Sequence, residues 1–227
     1  MKRYLVIIAD LDEFNPFSTG LKDYEPHEES FYGMPAVKFE IDGNDVLAVC
    51  CGIGKVNAAI GVTLALAAED FDGVVNLGYS GAISALSMGD IVAGSSFTEC
   101  DFDLSPLGYA PAEKPYHQQT VFYADKCLFD AAMRIPDMKS GVLGTGDFFL
   151  ADKAKKQQYK ELFSINAFDM ESGAAAAACY VMHVPFISIR KISDSADDVA
   201  HTDYRGTLSP SDMAFSDMFV KLLKNLN

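Results

Sequence analysis

Positive charge is scarce in this chain. Its 227 residues hold 18 lysines and arginines against 32 acidic residues, a formal net charge of −14. Such a surface repels nucleic acid and anionic lipid, so both are discounted as partners. Long apolar runs are missing too. No stretch approaches the roughly 18 apolar residues of a membrane span. The first run, Tyr4 to Ala9, is interrupted by Asp10. It is also shorter than the roughly 7–15 apolar residues of a signal-peptide core, so a cytoplasmic protein is expected. The five cysteines (Cys50, Cys51, Cys100, Cys127 and Cys179) include no C-x-x-C pair. An odd count without that spacing fits reduced thiols better than a disulfide framework. The histidines, His27, His117, His183 and His201, make no metal-ligand spacing with the cysteines and read as surface or loop residues. No G-x-S-x-G occurs. Neither a metal nor an organic cofactor is expected.

What is present is ordinary globular composition, 49% hydrophobic and 22% charged. A chain of this length can bury about 70% of its unfolded surface without staples. Short apolar runs at Tyr4 to Ala9, Val74 to Leu77, Gly141 to Leu143, Ile165 to Phe168 and Pro185 to Ile189 read as buried strands. Ala36 to Glu40 and Val46 to Cys50 flank Asp42-Gly43-Asn44 as a hairpin. Asp90 to Ala93 opens a further strand, and Ser96 to Gln119 reads as a long loop broken by prolines. Helices are expected over Val56 to Ala68, Asp125 to Arg134, Ala151 to Leu162, Glu171 to Met182 and Pro210 to Leu226, the last with Ser209 as N-cap. Strands and helices alternate with no linker and no internal repeat. The expected fold is therefore a single α/β domain over residues 1–227, a mixed, mostly parallel twisted sheet flanked by helices. Ligands of such sheets sit beyond the carboxyl ends of strands.

Unusual residues gather at those ends: Asp10-Leu11-Asp12-Glu13, Gly78-Tyr79-Ser80-Gly81, Thr145-Gly146-Asp147-Phe148-Phe149, Asp169-Met170-Glu171 and Ser193-Asp194-Ser195-Ala196-Asp197. Carboxylates, aromatics and glycines without a histidine suit a neutral polyol or a heterocycle and suit phosphate poorly. Each segment also has a plainer reading. Gly52-Ile53-Gly54-Lys55 lacks Walker spacing and serves equally for tight strand-to-helix packing. Asp10, Asp12 and Glu13 could form a solvated turn. Glu171 could complement a helix dipole. Asp194 and Asp197 could cap a helix. Phe148 and Phe149 could be core.

Taken together, and in this order, Gly52-Ile53-Gly54-Lys55-Val56-Asn57-Ala58-Ala59, Asn76-Leu77-Gly78-Tyr79-Ser80-Gly81, Met88-Gly89-Asp90-Ile91-Val92, Gly146-Asp147-Phe148-Phe149, Asp169-Met170-Glu171-Ser172 and Ile192-Ser193-Asp194-Ser195-Ala196-Asp197 resemble the nucleoside phosphorylase/nucleosidase superfamily. Within it they are most similar to the bacterial 5′-methylthioadenosine/S-adenosylhomocysteine nucleosidase family. The resemblance runs from Met1 to about Asp197 and is most specific where Met170-Glu171 is paired with Ser193-Asp194. It implies hydrolysis of the bond between a purine and ribose through an oxocarbenium-like transition state. Asp194 then matches the acid that serves purine N7, and Glu13 the carboxylate that activates water. Glu171 matches the acceptor of the ribose 2′ and 3′ hydroxyls, Met170 lies under the sugar, and Phe149 stacks on the base. The backbone of Leu150 reads the purine edge. Ile53, Tyr79, Ser80, Gly81 and Ser193 complete the implied substrate-binding set. The family also implies a homodimer acting on a small purine nucleoside.

A phosphorolytic relative would need arginines. Asn76 stands where the phosphorylase branch has one, and residues 10–20 contain no basic residue, so hydrolysis is favoured. Two departures concern specificity. Tyr79-Ser80 replaces the family's Ser-Ala, and residues 198–209 leave the family pattern where the 5′ substituent would lie. Futalosine hydrolysis, purine nucleoside phosphorolysis and nucleoside binding or storage without catalysis are the alternative functions on this scaffold.

Overall fold

The computed structural model describes residues 1–116, 118–209 and 214–226. In chain order the strands are β1 (Arg3–Ile8), β2 (His27–Phe31), β3 (Met34–Ile41), β4 (Asn44–Cys50), β5 (Gly73–Ala82), β6 (Ile91–Glu99), β7 (Val121–Tyr123), β8 (Lys139–Thr145), β9 (Ala167–Asp169) and β10 (Phe186–Asp194). The helices are α1 (Leu11–Gly20), α2 (Lys55–Ala68), α3 (Lys126–Met133), α4 (Lys153–Phe163), α5 (Ser172–Met182), α6 (Ala200–Thr207) and α7 (Ala214–Leu226).

The strands form one mixed sheet. β1 lies parallel between β4 and β5, and β10 runs parallel to the other side of β5. β6 pairs antiparallel with β10 and parallel with β8, and β8 runs parallel to β9. β9 then returns antiparallel to β5, so β5, β10, β6, β8 and β9 close into a circuit. β1, β4, β3 and β2 extend from that circuit as an open wing, ending on the polar strand His27-Glu28-Glu29-Ser30-Phe31. The expected mixed α/β sheet flanked by helices is present. Its closure had no sequence signal, because it rests on only two ladder positions between β5 and β9.

Both faces of the sheet are buried, as its apolar strands require. Tyr4, Val6 and Ile8 face a cluster with Phe17, Leu128, Phe215 and Phe219 from α1, α3 and α7. Leu5 and Ile7 face the opposite cluster, with Ala58 and Val62 of α2 and Ala175 and Ala176 of α5. The alanines let α2 and α5 approach the sheet closely.

Several boundaries differ from the sequence expectation. β5 continues through Gly78-Tyr79-Ser80-Gly81, which reads as a turn in sequence, to Ala82. A Cβ on Gly78 would lie 2.6 Å from Arg190 Nη1, and one on Gly81 would lie 2.7 Å from Asp194 Oδ1. The glycines thus allow side chains of β10 to cross the strand. β6 reaches Glu99, so the expected loop starts later than Ser96. β10 runs on to Asp194, with a register shift between Ile192 and Asp194. The acidic segment after β1 is the start of α1 rather than a solvated turn: Asp10 caps it, accepting from the Asp12 N–H at 3.1 Å. α1, β2, β7 and α6 were not anticipated. The expected start of the last helix, at Pro210, lies outside the described residues, as does His117. His27, His183 and His201 are exposed. Four of the five free cysteines are buried, and Cys127 is exposed.

Candidate active site

A cavity of about 370 Å³ opens where β1, β5, β9 and β10 end. All eleven residues expected at the site line it: Glu13, Ile53, Tyr79, Ser80, Gly81, Phe149, Leu150, Met170, Glu171, Ser193 and Asp194. Asp10 and Tyr204 line it as well.

Glu13 lies in the first turn of α1 and is 6% exposed. One carboxyl oxygen accepts the Tyr79 backbone N–H at 2.7 Å. Burial, reinforced by the neighbouring Glu171, pushes its pKa up to about 8, against the pull of the Tyr79 N–H and Arg190. Tyr79 turns its ring away, 5.2 Å from Phe215 and 6.1 Å from Tyr204, centroid to centroid. What it offers Glu13 is therefore backbone.

Glu171 holds the N-cap position of α5, but its side chain makes no capping bond. Asp169 does that work, its Oδ1 accepting from the Glu171 and Ser172 N–H groups at 2.9 and 2.8 Å. The Glu171 carboxylate is left to face the cavity. It accepts from Gly54 N–H at 3.0 Å and from Arg190 Nη1 at 3.4 Å. Burial raises its pKa, and Arg190 opposes that rise. Gly52-Ile53-Gly54-Lys55 thus directs an amide at a carboxylate. At Gly54 the backbone has φ +100°, which favours glycine. The same loop is tied down by Lys55, whose N–H donates to Asp147 at 2.7 Å and whose Nζ pairs with Asp101 at 2.6 Å.

Asp194, 2% exposed, ends β10 just past its register shift. It accepts from Ser193 Oγ and from the Ala196 N–H, both at 2.7 Å. Burial raises its pKa despite those two bonds. Phe148 packs against Tyr159 and Phe168, and both it and Phe149, the latter 47% exposed, border the cavity.

Arg190 was not anticipated. It is 1% exposed, behind Glu171. Nε donates to Ser188 Oγ at 2.9 Å and lies 3.4 Å from Asp169 Oδ2. Nη1 reaches the Tyr79 carbonyl and Glu171, both at 3.4 Å, and Nη2 donates to Asn76 Oδ1. A buried cation needs such partners. Its signal in the sequence is a lone arginine inside the apolar run of β10. Tyr204, delivered by α6, was missed because nothing in Ala200–Thr207 marks a site-forming helix. Among the described residues no group of three or more histidine, cysteine, aspartate or glutamate side chains could hold a metal ion.

An α/β fold with buried carboxyls converging on one cavity matches a known class: the model of the phosphorylase superfamily covers residues 3–225. The 5′-methylthioadenosine/S-adenosylhomocysteine nucleosidase of Haemophilus influenzae (strain PittEE) is 34% identical over 84% of this chain and 87% of its own length. That of Tolumonas auensis is 32% identical over 87% and 89%. The chain belongs to this nucleosidase family within the superfamily. The crystal structure of the Neisseria meningitidis nucleosidase in complex with methylthio-immucillin-A superimposes with a TM-score of 0.88, at 27% identity and 99% coverage of both chains. Futalosine hydrolase of Helicobacter pylori matches at a TM-score of 0.87 and 22% identity, which shows the shared fold alone.

Proposed function

We propose that this protein hydrolyses the N-glycosidic bond of adenine-type nucleosides such as 5′-methylthioadenosine or S-adenosylhomocysteine, releasing the free base. The observation that carries this reading is the convergence of Glu13, Glu171 and Asp194, all buried and all with raised pKa, on one cavity. Asp194 donates a proton to purine N7 as the C1′–N9 bond breaks and its electrons move into the base. Phe149 and the Leu150 backbone hold the purine. Met170 lies under the ribose. Glu171 accepts from the 2′ and 3′ hydroxyls, since each of its oxygens keeps a lone pair beyond those used by Gly54 and Arg190. Glu13 takes a proton from the water that adds to C1′. With a pKa near 8 it holds a proton much of the time at rest. The form that acts as base is the carboxylate, reached when that proton leaves to solvent through the open cavity, and positive charge building on the ribosyl carbon favours it.

Hydrolysis rather than phosphorolysis is supported by Arg190. It is fully engaged by Glu171, Ser188, Asn76 and the Tyr79 carbonyl and is not free to bind phosphate. Incubation with adenine nucleosides, with and without phosphate, tests the reading. Free base and a ribose product are expected without phosphate. Ribose 1-phosphate formed only with added phosphate would indicate a phosphorylase, and binding without turnover a storage protein.

The working unit is proposed to be a cytoplasmic homodimer. Buried free thiols support the reducing compartment. Ile53, Val56 and Ile60 support the dimer, forming an exposed apolar stripe on the loop and helix that reach the cavity. Equilibrium sedimentation of the wild type and Ile60→Asp reads it: a dimer is expected for the first and a monomer for the second.

A further inference from the structure

Two charged residues of the sequence motifs stay outside the cavity. Lys55 closes Gly52-Ile53-Gly54-Lys55 and Asp147 follows Gly146, yet neither lines the cavity. They meet each other instead. The Lys55 N–H donates to Asp147 Oδ1 at 2.7 Å, the Asp147 N–H donates to Asp101 Oδ2 at 2.9 Å, and Asp101 Oδ1 takes the Lys55 ammonium at 2.6 Å. The three residues thus form a closed ring of contacts. Lys55 Nζ also lies 3.4 Å from Glu99 Oε2, and Lys114 pairs with the other Glu99 oxygen. Asp147 faces solvent, and Lys55, Glu99, Asp101 and Lys114 are partly buried. Burial lowers the Lys55 pKa, but Asp101, Glu99 and Asp147 outweigh it and raise it overall, so the ammonium stays charged. Parallel strands bring the acids together. β6 and β8 run side by side with Glu99 opposite Thr145, and Asp101 and Asp147 each follow two residues later.

The segment held by this ring is loose by composition. Gly52 and Gly54 stand at φ +93° and +100°, and glycine loses more conformational freedom on ordering than any other residue. Gly54 caps α2 without a side chain, so the first amide of α2, that of Lys55, is satisfied from another strand by Asp147. The neighbouring amide, that of Gly54, donates to Glu171 Oε1 at 3.0 Å. Arg190 holds the other oxygen of the same carboxylate.

We infer that Lys55, Asp101 and Asp147 are positioning residues for nucleoside hydrolysis: their ring holds the Gly54 amide against Glu171 and so aims the carboxylate that accepts the ribose hydroxyls. The inference rests on the nucleosidase reading above and adds to it residues that touch no substrate. With the ring cut, the glycine loop drifts. Glu171 then keeps Arg190 on one oxygen, loses its donor on the other, and turns away from the diol.

Lys55→Met, Lys55→Arg and Asp147→Ala test it, on 5′-methylthioadenosine and its 2′-deoxy analogue. Lys55→Met and Asp147→Ala should each lower kcat/KM about tenfold on the ribonucleoside but about threefold or less on the analogue, which already lacks one hydroxyl for Glu171 to meet. Lys55→Arg keeps the cation and should recover most of the ribonucleoside rate. Both damaging changes release one loop, so together they should cost less than the product of their separate effects. Amide hydrogen exchange across residues 52–57 should quicken in both. Asp101→Asn replaces either variant if its circular dichroism is not native. Equal losses on the two substrates in natively folded variants overturn the inference, and so does an unchanged ribonucleoside rate; the hydrolase reading survives both results. If Glu171→Gln itself harms the two substrates alike, the role of Glu171 falls and the inference with it. Adenine release from neither substrate by the wild type overturns the hydrolase reading as well.

Discussion

Replacing Glu13 by glutamine tests whether a buried acid at the proposed water site is maintained at a cost in stability. The folded protein raises this carboxyl from 4.5 to about 8. A carboxyl with a raised pKa contributes most below its unfolded value, and that contribution is lost as pH rises through the folded value. Between those limits the unfolded chain releases the proton and the folded one keeps it. At about 1.4 kcal/mol per pH unit the loss reaches about 3 kcal/mol at pH 7 and about 5 kcal/mol above pH 8. Glutamine fills the same space, can still accept the Tyr79 N–H, and does not titrate. For a chain of this size about 3 kcal/mol corresponds to roughly 6–12 °C in Tm. Melting curves from pH 5 to 8.5 should therefore show Glu13→Gln gaining on the wild type as pH rises, by about 4 kcal/mol or roughly 8–16 °C over that range. Turnover should fall roughly 10²–10⁴-fold. Parallel stability curves for the two proteins would refute the reasoning, because Glu13 would then titrate alike in the folded and unfolded chains.

Other outcomes are expected from the same geometry. Asp194→Asn should cut base release roughly 10²–10⁴-fold while leaving nucleoside binding measurable by calorimetry; near-wild-type turnover would remove Asp194 as the acid. Glu171→Gln should harm a ribonucleoside more than its 2′-deoxy analogue, since the analogue already lacks one hydroxyl donor and a charge-assisted bond is worth about 1.5–3 kcal/mol. Equal losses on both substrates would place Glu171 away from the 2′ hydroxyl. Gly81→Ala places a methyl group 2.7 Å from Asp194 Oδ1 and 2.9 Å from Ala196 Cβ. It should lower kcat about tenfold or more while circular dichroism stays native, because the displaced group is the proposed acid and overpacking typically costs about 1–3 kcal/mol.

The long apolar strands and alanine-rich helices were legible because burial on both faces leaves continuous apolar runs. α1 was not: Asn15, Pro16, Ser18, Thr19 and Gly20 are poor helix formers, and the helix is held by Phe14 and Phe17 in the core. The extension of β5 was hidden because Gly78 and Gly81 mimic a turn while clearing space for Arg190 and Asp194. The site residues were named through the family resemblance, and the cavity then gathers them. Two features no motif announced. Arg190 is recognisable only once Glu171 and Asp169 are seen around it, and Tyr204 depends on how α6 folds back over the cavity.

The polar outer strand β2 has a consequence for how copies of this chain can meet. Among the described residues β2 pairs with β3 alone, so its other edge turns backbone donors and acceptors toward solvent. A bare edge of that kind invites another strand to add to it. Here the edge carries Glu28 and Glu29 beside exposed His27 and Ser30. Two copies approaching edge to edge at neutral pH bring glutamates against glutamates, on molecules already strongly anionic. Sheet-to-sheet growth is thereby disfavoured at the wing.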